Sequence, residues 1–128
     1  MQDNRVFIND KDIIEIMVIG NQTVASIQIM GEQAISLAKR QREAGKPALL
    51  LDNLLQMGTV PAEGRKRVME LVRSSDYDRL AMFGKDTVLR LGANLILQAT
   101  GRGDTVRYFE DRSLCEAWLL QAVEDSSS

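Results

Sequence analysis

Histidine is absent from this 128-residue chain. That removes the commonest general base and the commonest metal ligand, and with them every nucleophilic triad that relies on an imidazole. Cysteine occurs once, at Cys115. One thiol cannot form an internal disulfide, cannot build a thiolate zinc site, and fits a reducing compartment. Positive charge is not in excess: the net charge is -2, which gives no broad pull towards nucleic acid or anionic lipid. No apolar run approaches the roughly 20 residues of a membrane span. The polar opening Met1-Gln2-Asp3-Asn4-Arg5 is not followed by an apolar signal core. These absences lead us to expect a cytoplasmic protein that binds no nucleic acid and is not integral to a membrane. We also expect no metal, no cofactor and no enzymatic activity, since no spacing of acids or lysines calls for catalysis.

What is present is a pattern of buried strands and amphipathic helices. The stretch Pro47-Ala48-Leu49-Leu50-Leu51-Asp52-Asn53 is a short apolar run closed by polar residues, the mark of a strand buried on both faces. We read it as the central strand, over Ala48–Asp52, with Leu54–Val60 as an apolar-leaning loop. Before it, Arg5–Asn9 and Ile13–Ile19 read as a hairpin around Asp10-Lys11-Asp12. Glu15 is the one charge in the second strand. Thr23–Ala44 reads as a long helix, with Asn21 or Thr23 as cap, Ile27, Met30, Ala34, Leu37 and Ala38 on one face, and Gly45 and Pro47 as terminators. Gly31 inside it marks close packing. Lys39-Arg40-Gln41-Arg42 falls in its last turns, where cations favour the helix dipole.

After the central strand, Pro61 starts a helix to about Ser74, whose Arg65-Lys66-Arg67 run we read as a solvated face. Arg79–Gly84 reads as a buried strand. Val88–Thr100 reads as a helix whose clearly polar members, Arg90, Asn94 and Gln98, form one narrow stripe. Thr105–Phe109, of mixed polarity, suits a sheet edge. A last helix, capped by Asp111 or Ser113, carries Leu114, Ala117, Trp118 and Ala122 at helical spacing, with Cys115 and Trp118 as core. The expectation is one α/β domain over 1–124 with a frayed tail at 125–128, its five-stranded, mostly parallel sheet accompanied by four helices.

Ligands gather where parallel strands end. That directs attention to Asp52 and Asn53, to Leu55, Met57 and Thr59 in the loop beyond, and to Lys85, Asp86 and Thr87 opening the next helix. Asp52 reads as a turn acid closing its strand, since a phospho-acceptor site also needs a pair of acids after the first strand and Asp10 and Asp12 precede a strand here. Lys85-Asp86-Thr87 offers backbone amides to an anion, or simply a cap. The Val88–Thr100 helix is apolar on more than its sheet side. Leu89, Ala93, Ile96 and Leu97 are therefore candidates for self-association as a homodimer, or for an apolar cleft.

The order of elements, together with Leu49-Leu50-Leu51-Asp52, Arg79-Leu80-Ala81-Met82-Phe83-Gly84, Val106-Arg107-Tyr108-Phe109-Glu110-Asp111 and Ala117-Trp118-Leu119, resembles the SpoIIAA-like group, the STAS and SEC14-type domains. The resemblance covers nearly the whole chain and implies two jobs. Anti-sigma-factor antagonists of this kind bind a protein partner and are switched by phosphorylation of a serine that follows an aspartate at the entry to the helix after the central strand. Here that region is Thr59-Val60-Pro61-Ala62-Glu63-Gly64, with neither the aspartate nor the serine, and Thr59 as the nearby hydroxyl. SEC14-type relatives imply binding or carriage of an apolar, lipid-like molecule. The expectation is a non-enzymatic regulatory module that binds a protein partner or itself, with apolar-ligand carriage as the alternative.

Overall fold

The computed structural model describes residues 4–84 and 104–126. Among them are five strands, β1 (Arg5–Ile8), β2 (Ile14–Gly20), β3 (Leu49–Met57), β4 (Arg79–Phe83) and β5 (Val106–Phe109). Three helices accompany them: α1 (Val24–Glu43), α2 (Ala62–Ser74) and α3 (Arg112–Ser126). The sheet order is β1-β2-β3-β4-β5, with β1 antiparallel to β2 and all later pairings parallel. This is the expected α/β architecture. The expected helix over Val88–Thr100 lies outside the described residues.

The central leucines are buried on both flanks. Leu50 packs with Ile14, Leu80, Met82 and Val106 against Ala34 and Ala38 of α1 and Val72 of α2. Leu49 and Leu51 face the other way, with Ile13, Ala81 and Phe83, against Cys115, Trp118 and Leu119 of α3. Strand alternation makes this division, and each fully buried leucine contributes roughly 1.5–3 kcal/mol. Cys115 and Trp118 are core residues, as expected. The Cys115 thiol contacts the Met82 carbonyl at 3.5 Å, and Trp118 lies beside the guanidinium groups of Arg79 and Arg107, 5.0 and 5.4 Å from its ring.

Thr23 begins α1 with a reciprocal capping box. Its hydroxyl accepts from the Ser26 N–H at 3.0 Å, while the Ser26 hydroxyl accepts from the Thr23 N–H at 2.9 Å. Gly45 follows the helix with a φ of 76°, the left-handed conformation that glycine adopts without penalty. Gly31 marks the crossing with α2, where an added Cβ would lie 2.8 Å from the Leu71 side chain. In the basic cluster, Gln41 is buried and donates to the Asp12 carbonyl at 3.1 Å. Arg42 reaches Asp76 and Asp78 at 3.1 and 3.3 Å.

The central strand departs from expectation in its length. It does not end at Asp52-Asn53 but continues to Met57, so residues 54–57 are strand and not loop. Asp52 is therefore no turn acid: it pairs with Ile16 on β2 and Met82 on β4. The pair has the composition of a turn, yet both residues lie within the strand, Asn53 buried and Asp52 partly so. Pro61 is the N-cap of α2, one residue ahead of the helix it was expected to open.

Candidate functional site

β3 outruns β4. Pairing with β4 stops at Asn53↔Phe83, whereas pairing with β2 continues through Gln56 and Met57. The register slips between Met17 and Ile19, where β3 accommodates one extra residue. Such a bulge turns neighbouring side chains the same way. Leu54 and Met57 pack towards Val18, Ile27 and Met30 on the α1 side. Leu55 and Gln56 are exposed, and Leu55 keeps 41% of its surface in solvent.

The overhang is latched to the end of β2. The Gly58 N–H donates to the Gly20 carbonyl at 2.8 Å, and the Gln22 N–H donates to the Thr59 carbonyl at 2.8 Å. The Thr59 N–H donates to the Asn21 side-chain oxygen at 2.9 Å. Gly58 is required by closeness: a Cβ there would meet Asn21 and come within 3.0 Å of the Gly20 carbonyl carbon. Thr59 itself is exposed, two residues before the Pro61 cap, which makes no side-chain hydrogen bond to the helix.

Asp52 and Asn53 point to opposite faces. Asn53 is buried, and its Oδ1 accepts from the Leu55 N–H at 3.2 Å. On the same face lies Glu15, almost wholly buried, its carboxylate gripped at both oxygens by Arg112 at 2.8 and 2.6 Å. The Arg112 guanidinium also lies 5.4 Å from the Phe83 ring centre. Hydrogen bonding to Arg112 holds the Glu15 carboxyl below its ordinary value against the opposing effect of burial, with Asn9 and Asn53 adding smaller contributions. Asp52 lies on the α1–α2 face, partly exposed, and no described residue hydrogen-bonds its carboxylate. Loss of hydration pushes it up to about 7.

The expected site residues therefore divide. Leu55, Met57 and Thr59 do share the β3 overhang, with Met57 turned inward. Asp52 and Asn53 precede it and do not converge. Lys85, Asp86, Thr87, Leu89, Ala93, Ile96 and Leu97 lie outside the described residues. Sequence reading missed the Glu15–Arg112 pair, although a lone acid in an apolar strand was its visible sign. It also missed Phe7 as an exposed apolar residue. Phe7 on β1 is 37% exposed, Met17 and Ile19 on β2 are half-buried, and no described helix covers this part of the α3 face. Among the described residues there is no cluster of metal-ligating side chains and no helix long and apolar enough to cross a membrane.

No protein-family model and no curated protein matches this chain. Among solved structures it is similar to an uncharacterized protein of the DUF3478 family with a SpoIIAA-like fold, from Shewanella loihica PV-4. The two share 14% sequence identity and superpose with a TM-score of 0.67 over 93% of this chain and 95% of the other. The likeness shows a SpoIIAA-like fold.

Proposed function

We propose, on the basis of the SpoIIAA-like fold and the β3 overhang, that this chain is a non-enzymatic STAS-type interaction domain that docks a protein partner with Leu55 as its apolar anchor. One observation carries the reading: Leu55 is a large apolar side chain held out to solvent by a strand that is hydrogen-bonded on one side and latched at its end. An anchor already ordered in the free protein loses little conformational entropy on binding. Gln56 and Thr59, both exposed, supply a polar rim around such an anchor. Carriage of an apolar molecule would need an enclosed apolar cleft. The groove formed by Asn4, Arg5, Val6, Phe7 and Gln33 is open and partly polar, so it lends that reading no support.

In-cell crosslinking from a photoreactive residue at position 55 tests the proposal. A discrete heteromeric adduct, lost when Thr59→Arg is added, is expected. A smear no different from that given by a probe at exposed Glu43 would overturn it.

A further inference from the structure

The β1 edge carries an argument independent of the overhang. β1 pairs only with β2, so one side of its backbone is unpaired among the described residues. The Asn9 N–H donates to the Ile13 carbonyl at 2.8 Å. In an antiparallel ladder, inward-bonded residues alternate with outward-facing ones. Arg5 and Phe7 therefore bond inward to β2, and Val6 and Ile8 turn their amides and carbonyls outward.

Beside this edge runs an open groove of about 500 Å³, walled by Asn4, Arg5, Val6 and Phe7 and by Gln33 of α1. One turn before Gln33 on the same face of α1 stands Ile29, 56% exposed. An added strand would complete the hydrogen bonding of Val6 and Ile8 and cover Ile29.

We infer that the occupant of this edge is a second copy of the chain, its β1 antiparallel to the first across a two-fold axis at Val6, making one continuous sheet. The register argues for a copy. Pairing Val6 with Val6 sets Asn4 opposite Ile8 and Arg5 opposite Phe7 of the other protomer. Arg5 is the only charged residue in β1, so no like charges oppose each other. Each guanidinium instead meets an exposed aromatic ring, a favourable cross-strand pair. The same axis brings Ile29 and Gln33 of the two α1 helices alongside each other. A two-fold contact closes on itself, so the edge is consumed in a dimer and does not propagate into a fibre.

Single-cysteine variants read the register directly, because Cys115 is buried. Val6→Cys should crosslink to itself on oxidation, since only residue 6 meets its own copy at disulfide distance. Arg5→Cys and Phe7→Cys should each fail alone and crosslink when mixed. Light scattering should give twice 14.3 kDa for the unmodified chain. The mass should halve for Ile29→Glu, and also for Val6→Pro, which removes an outward-facing amide and no hydrogen bond to β2. A Leu89→Glu, Ile96→Glu variant should remain dimeric. A monomeric unmodified chain would overturn the inference. So would a dimer that ignores Ile29→Glu, or crosslinking at residue 5 or 7 alone.

Discussion

Glu15 and Arg112 stand 97 positions apart in the chain and meet in a two-pronged ion pair, with contacts of 2.8 and 2.6 Å. The pair ties the first turn of α3 to β2, beyond the strands that α3 covers with its apolar face. The Glu15 side chain is 5% exposed and that of Arg112 40%, so the acid carries most of the desolvation cost.

Removing the cation alone should therefore hurt most. Arg112→Met leaves a buried carboxylate without its partner and should cost about 3 kcal/mol in urea unfolding, at the lower end for a buried pair because Arg112 is partly wet. The double variant Glu15→Met, Arg112→Met should recover most of that loss. An equal or larger loss in the double variant would show that geometry, not the stranded charge, sets the cost.

Stability should peak on the acid side of neutrality. The Glu15 carboxyl is lowered from 4.5. Its contribution is present above that value and is lost as pH falls through the folded one. Asp52 runs the opposite way, from 3.8 to about 7. The folded chain binds that proton more tightly, so stability falls as pH rises from about 4 to about 7 and stays reduced above. Asp52→Asn should remove this decline and raise stability at pH 8 by on the order of 2–4 kcal/mol, each tenfold in proton affinity being worth about 1.4 kcal/mol. Unfolding curves at pH 5 and pH 8 check both signs.

Gly58→Ala should loosen the overhang. The new methyl meets Asn21 and the Gly20 backbone, and backbone cannot swing away as a side chain does. A loss of about 1–3 kcal/mol is expected for such overpacking, with faster amide exchange at Gln22 and Thr59, whose latch bonds would open. Gly31→Ala should cost less. There the obstacle is the end of the Leu71 side chain, and the helix gains up to about 1 kcal/mol of propensity.

Cys115 should resist thiol reagents in the folded protein. It is fully buried, and burial, reinforced by nearby Asp111, pushes its thiol up to about 12. Labelling should track global unfolding in denaturant. Rapid labelling in buffer would refute this.

The linear chain determined the layers. Three consecutive leucines can be buried in a strand only if both of its flanks are covered, and the three- and four-residue spacing from Ile27 to Ala38 commits that segment to one helical face. Those signals are local and repeat along the chain. Only the tertiary structure decided where β3 stops and what its polar residues do. Asp52-Asn53 has the composition of a turn, and nothing nearby reveals that Asn53 is buried on the face where a carboxylate of β2 meets a cation from α3. The extent of a strand depends on what its neighbours offer to bond. β2 still has partners to give beyond Asn53 and β4 does not, and that mismatch in length between two neighbours leaves Leu55 in the open.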